Sequence, residues 1–262
     1  MIRHLVLRGP AGLRAAALDR CHVRAELTGV VERDTELELG VAGALPDLGD
    51  LIAAGLEVHE VPVPEDVPTG LEADAPILVA PDLLVRPPWV PPLQGFAGIE
   101  LVVPRGMAFG SGEHASTQAA LRAMHAVWDD PASLADVGTG SGILALYAQR
   151  RGCPFVVACD VEEAAVRAAR ELLPGTVVVL GGPGDVPGPV AAVVANLSGA
   201  ELHEVLADLL RLWDRRSFLI LSGMRAGEEA GVRARLPGEP CRREAVGGFV
   251  ALAYPPAAPS GR

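Results

Sequence analysis

Three glycines at alternate positions, Gly138, Gly140 and Gly142, stand between Asp136 and an apolar run from Ile143 to Arg151. Apolar, β-favouring residues lead into Asp136, so Leu134 to Leu146 reads as strand, tight turn and helix. Glycine has no Cβ, and such a turn brings bare backbone against a ligand. The helix start offers unpaired N–H groups and partial positive charge to polar or anionic ligand atoms. The chemistry predicted is the holding of a nucleotide-type cofactor. Two polar residues extend it. Asp160 closes a strand predicted over Phe155 to Cys159, twenty residues past Gly140. A carboxylate there can accept hydrogen bonds from vicinal ribose hydroxyls, or cap the following helix. Asn196 ends a strand predicted over Ala191 to Ala195. Its amide donates and accepts, so it can touch the cofactor and orient an incoming amine, or serve as a turn residue. Asp185, in a Gly/Pro-rich loop, is a candidate for reaching an adenine.

A second chemical stretch is Gly106 to Thr117, GMAFGSGEHAST. Glycines, a phenylalanine, a histidine and hydroxyls make a poor core segment and a good ligand-covering loop. Ser116 or Thr117 is expected to cap the helix predicted over Gln118 to Trp128. His114 can shuttle a proton or fix the loop, and no catalytic role is assigned to it. Glu113 and Glu162 read as solvated. The spacing G-x-G-x-G differs from the dinucleotide fingerprint G-x-G-x-x-G. It is similar to the first motif of methyltransferases that use S-adenosylmethionine (SAM). A structural βα turn and a dinucleotide site remain open at this point.

The elements that position these residues follow from periodicity. Residues 1–66 alternate as β-α-β-β-α-β: strands over Ile2–Leu7, Val23–Val31, Thr35–Val41 and Leu56–Val63, helices over Ala11–Arg20 and Leu48–Ala54. That order predicts a small α+β, ferredoxin-like unit. No catalytic constellation stands out in it; His4, His22 and His59 are isolated. Residues 67–98 are dense in proline and read as a stiff connector with one short strand near Ile77 to Val79. From Ile99 to about residue 256, strands alternate with helices and imply an α/β fold, a parallel Rossmann-like sheet covered on both faces. It closes with a hairpin, Arg242–Val246 and Phe249–Tyr254, joined by Gly247-Gly248. Residues 257–262 read as a loose tail.

Composition bounds the function. The 262 residues carry a formal charge of −11 and no lysine. That balance argues against direct nucleic-acid reading and suits a basic partner. A GC-rich genome accounts for the missing lysine. No apolar run suffices to span a membrane, and no leader pattern opens the sequence, so a cytoplasmic monomer is expected. Cys21, Cys153, Cys159 and Cys241 show no C-x-x-C pairing; reduced thiols and no metal are expected.

Several separated motifs agree on a family. PRGMAFGSGEHASTQAAL, DVGTGSGILAL, CDVEEAAVRAARE, VVANLSG, LILSGM and GGFVALAY resemble, in order and spacing, the bacterial ribosomal protein L11 methyltransferases, PrmA. The likeness covers about residues 85–254. The resemblance implies a class I SAM-dependent methyltransferase that modifies lysine or N-terminal amines of a large-subunit ribosomal protein. It implies a small N-terminal substrate-recognition domain, matched by residues 1–66 in pattern. It places Thr117, Gly138, Asp160 and Asn196 at SAM-contacting positions, with Gly140, Phe109 and Gly112 close by and Asn196 orienting the amine. The sequence departs from the family at Leu197-Ser198, where Ile-Leu is usual. Alternatives are a SAM methyltransferase for another protein or a small molecule, a SAM-binding ribosome-associated factor with little catalysis, and an NAD-dependent oxidoreductase.

Overall fold

The computed structural model describes residues 2–24, 26–32, 35–42, 45–61, 75–104, 112–236 and 238–257. The chain forms two compact units, Met1–Ala73 and Asp74–Arg262. In the first, β1 (Ile2–Arg8), α1 (Ala11–Arg24), β2 (Glu26–Glu32), β3 (Glu36–Ala42), α2 (Gly49–Ala53) and β4 (Glu57–Val61) follow one another. The four strands pair antiparallel in the order β2-β3-β1-β4, the ferredoxin-like arrangement. Alternation explains the register. Leu5 and Leu7 of β1 join Leu37, Leu39 and Val41 of β3 in one core with Ala17, Cys21, Leu48 and Leu51. The first helix reaches Arg24, so Val23 and Arg24 belong to it rather than to the next strand.

The second unit begins inside the proline-rich stretch. β5 (Ile77–Ala80) and β6 (Leu83–Arg86) form an antiparallel pair, and β6 pairs parallel with β7 (Ile99–Val102). The expected connector with one strand is therefore two strands of a small sheet, built into the second unit. The prolines permit it because Pro76, Pro81 and Pro87 stand outside the strands, where no ladder N–H is lost. Leu83, Val85 and Leu101 are buried in the large core. Arg86 closes the region with a bidentate bridge to Glu100, Nε to Oε1 at 2.8 Å and NH2 to Oε2 at 3.0 Å.

Then come α3 (Ala115–Val127), β8 (Ser133–Val137), α4 (Ile143–Arg150), β9 (Phe155–Asp160), α5 (Glu163–Leu172), β10 (Val177–Leu180), β11 (Ala192–Asn196), α6 (Gly199–Leu212), β12 (Leu219–Arg225), α7 (Glu229–Arg233), β13 (Arg242–Val246) and β14 (Phe249–Tyr254). They build a seven-stranded sheet of order β10-β9-β8-β11-β12-β14-β13. Every pair is parallel except those made by β14, which inserts antiparallel between β12 and β13. Both faces are covered. In β11, Ala192 and Val194 enter one core while Val193 and Ala195 enter the other. In β14, Ala251 and Ala253 face one side, and Val250, Leu252 and Tyr254 the other. Two-sided burial is why these strands read as continuous apolar runs. The connections from β8 go outward to β9 and β10, then cross back to β11. The strand ends at β8 and β11 are thus the topological switch point, where open α/β sheets bind ligands.

Candidate active site

The Gly-rich stretch folds as read: β8, a tight turn, α4. Gly138, Gly140 and Gly142 have φ of 69°, 53° and 91°, a region that costs any residue with a Cβ. The N–H groups of Gly138 and Thr139 both donate to the carbonyl of Cys159 on β9, at 2.9 and 3.0 Å. Asp136 lies fully buried beneath the turn. Its Oδ2 accepts from Thr139 Oγ1 at 2.7 Å and from the Ala145 N–H at 3.1 Å, tying the turn to the start of α4. Its Oδ1 is buried with no hydrogen-bond partner among the described residues. Burial pushes the carboxyl up to about 6, against those two hydrogen bonds, with the Asp160 charge adding a smaller rise. Burial likewise drives the Cys159 thiol to about 12, so it is no nucleophile.

Asp160 ends β9 at the same edge. Oδ2 accepts from the Gly140 N–H at 2.9 Å and Oδ1 from the Glu162 N–H at 3.0 Å. It ties the turn to β9 and holds the chain just before α5, whose N-cap position is Glu162 and not Asp160. Each oxygen keeps a further lone pair. Asn196 ends β11 opposite. Its Nδ2 donates to Thr117 Oγ1 at 3.4 Å, and its Oδ1 is buried with no hydrogen-bond partner among the described residues. Ser198 begins α6 through a capping box with Glu201.

These groups wall a cavity of about 670 Å³, within the size range of small-molecule sites. Gly138, Gly140, Asp160, Asn196 and Leu197 line it, with Gly181, Gly182 and Pro183 on one side and His114, Gly223 and Phe249 on another. Four carboxylates, Asp160, Glu162, Glu201 and Glu204, line it too, and no arginine does among the described residues. The wall therefore favours a cationic ligand.

Three expected positions, Thr117, Gly112 and Asp185, fall off the cavity wall. Thr117 is fully buried in α3 and lies off the cavity wall, where it supports Asn196. The helix cap is neither Ser116 nor Thr117 but His114, whose Nδ1 accepts from the Ser116 N–H at 3.3 Å. Gly112 packs against the core: a Cβ there would stand 2.7 Å from Val85 Cγ1. Asp185 folds back on its own loop, accepting from the Gly182 N–H at 2.9 Å, and leaves that wall to backbone. Phe109 lies outside the described residues. The sequence reading passed over Leu197, Gly223 and Phe249. Phe249 carries a recognisable signal, since it follows a Gly-Gly hairpin turn at the edge of the site. Its ring meets His114 edge-on at 4.7 Å and Arg225 at 4.0 Å.

The sheet order, the turn at the switch point, and Asp160 and Asn196 ending the strands on either side of β8 define a Rossmann-like α/β domain of the methyltransferase type. The family profile "Ribosomal protein L11 methyltransferase (PrmA)" matches residues 71–239, and the chain belongs to this family. A ribosomal protein L11 methyltransferase of Geobacter metallireducens is 38% identical over 175 residues, covering 64% of this chain and 58% of the relative. One of Streptococcus pneumoniae is 30% identical over 203 residues, covering 74% and 63%. The chain thus spans less than two thirds of the length of these relatives. The crystal structure of a ribosomal protein L11 methylase from Lactobacillus delbrueckii subsp. bulgaricus superposes with a TM-score of 0.63 at 26% identity. That match covers 68% of this chain and 96% of the other.

Proposed function

We propose that this chain is a SAM-dependent protein methyltransferase that modifies lysine or N-terminal amines of a large-subunit ribosomal protein, ribosomal protein L11 by its relatives' names. The observation that carries this is the single cavity wall shared by the Gly138 and Gly140 backbone, the Asp160 carboxylate and the Asn196 amide. Bare backbone at a helix start, a ribose-height carboxylate and an acidic wall fit SAM, a cationic nucleoside. When bound, SAM supplies an electrophilic methyl group on sulfonium sulfur. Asp160 would hold the ribose hydroxyls with its remaining lone pairs, and Gly181 to Pro183 would face the adenine. The Asn196 amide would accept a hydrogen bond from the incoming amine and so orient its lone pair toward the methyl group. Free lysine titrates near ~10.4, and loss of solvent in the cavity favours its neutral form. Catalysis is then mainly proximity and orientation.

The first unit is the proposed substrate-recognition domain. Its 73 residues hold thirteen carboxylates against six arginines, a surplus of seven out of the chain's eleven negative charges. That surplus suits a basic ribosomal protein. Met1–Ala73 and Asp74–Arg262 are the proposed functional domains, acting as a cytoplasmic monomer.

The test is incubation of the protein with labelled SAM and separated ribosomal proteins, read by intact mass. The expected result is gain in single-methyl steps on one large-subunit protein. SAM binding without transfer to any ribosomal protein would overturn the substrate, and absence of SAM binding would overturn the reading as a whole.

A further inference from the structure

Leu197 lies between two glycines. A Cβ on Gly138, the first glycine of the cofactor turn, would stand 2.3 Å from Leu197 Cδ2. A Cβ on Gly223 would stand 2.2 Å from the Leu197 carbonyl oxygen and 2.6 Å from its carbonyl carbon. Gly223 sits in the bulge of β12, where the register with β14 shifts between Leu221 and Met224, and its φ is 94°. The Leu197 N–H donates to the Ser222 carbonyl at 2.9 Å. The side chain of Leu197 therefore rests on the cofactor turn, and its backbone rests on the bulge. A bulge bends its own strand and re-aims the residues on it. Here the bend brings Gly223 against the residue that follows Asn196.

We propose that Leu197 is a positioning residue: clamped between Gly138 and Gly223, it sets the distance from the cofactor turn to the Asn196 amide. Position 138 is then a glycine to take φ of 69° and to admit Leu197, and not to admit the ligand. This rests on the reading that the cavity binds SAM and that Asn196 orients the amine.

Three variants test it: Leu197→Ala, Gly138→Ala and the double variant. SAM affinity is measured by calorimetry, the melting temperature on the unliganded protein, and turnover on the methylated substrate. Leu197→Ala is expected to lower kcat by about tenfold, the scale of a small misplacement, with SAM Kd within roughly threefold of the parent. An ordinary packing role would lower the melting temperature and leave kcat alone. Gly138→Ala is expected to weaken SAM binding by at least about tenfold and to lower the melting temperature, because Cβ drives Leu197 aside. Adding Leu197→Ala removes the obstructing side chain and is expected to restore SAM binding, while φ of 69° on alanine keeps the melting temperature low. A double variant no better than Gly138→Ala overturns the proposal, since the Cβ then meets the ligand itself. Unchanged kcat in Leu197→Ala also overturns it. A parent protein that binds no SAM refutes the underlying reading and the proposal with it. A parent that binds and transfers, with no rescue in the double variant, refutes the proposal alone.

Discussion

Replacing Asp136 by asparagine should change how the stability of this protein depends on pH, in a direction the structure sets. The carboxyl is fully buried, and burial raises it from 3.8 to about 6. A group whose folded value lies above its unfolded value binds its proton more tightly in the fold. Its contribution is fully present below the unfolded value and is lost as pH rises through the folded one. Between pH 4 and pH 7 this amounts to ~3 kcal/mol, at ~1.4 kcal/mol for each factor of ten. Asparagine keeps an oxygen for Thr139 Oγ1 and the Ala145 N–H, and has no proton to lose. Denaturant unfolding of parent and Asp136→Asn at pH 4.5, 6 and 7.5 isolates the effect, because all other titrating groups are shared. The stability of the variant relative to the parent is expected to rise with pH by about 2–3 kcal/mol across that window. Parallel curves, or a difference that falls with pH, would refute the claim that this buried carboxylate is held at a cost beneath the turn.

Asp160→Ala removes acceptors from the turn and from the ribose position, and should weaken SAM binding by about 2 kcal/mol, roughly thirtyfold. Unchanged calorimetric affinity would take Asp160 out of the site. Asn196→Ala should reduce turnover by about a hundredfold while SAM affinity moves far less, the split expected of an orienting group. Equal losses in both would make it a cofactor ligand only. Gly142→Ala forces φ of 91° on alanine and sets its methyl 2.9 Å from Leu173 Cδ1. It should destabilise the fold by about 2 kcal/mol in denaturant titration, and a neutral result would show that the turn yields easily.

Much of this architecture was legible because its signals are local. The strand, turn and helix around Gly138 to Gly142 need only a dozen residues of pattern. The same holds for the Gly247-Gly248 hairpin and for the β-α-β-β-α-β order of the first unit. Asp160 and Asn196 could be singled out because each ends an apolar run, and chain direction in a parallel sheet puts all such ends on one edge. The proline-rich stretch misled because proline counts against a strand only where a ladder N–H is needed, and Pro76, Pro81 and Pro87 stand just outside that need.

What lay beyond the sequence is which side chains meet across long separations. Thr117 reads as a cap, yet it is buried against Asn196, seventy-nine positions away, while His114 takes the cap. Asp185 has the right type and loop for an adenine contact, but it folds back on the Gly182 N–H. Leu197 and Gly223 lie within VVANLSG and LILSGM, yet those motifs do not tell that the two meet; that comes from the bulge between β12 and β14 and the close approach of β11 to β12. The sequence by itself determined the periods, turns and chain order, which depend on neighbours within a few residues. Only the tertiary structure decided strand order, buried partners and the wall of the cavity, because those depend on distances between segments far apart in the chain.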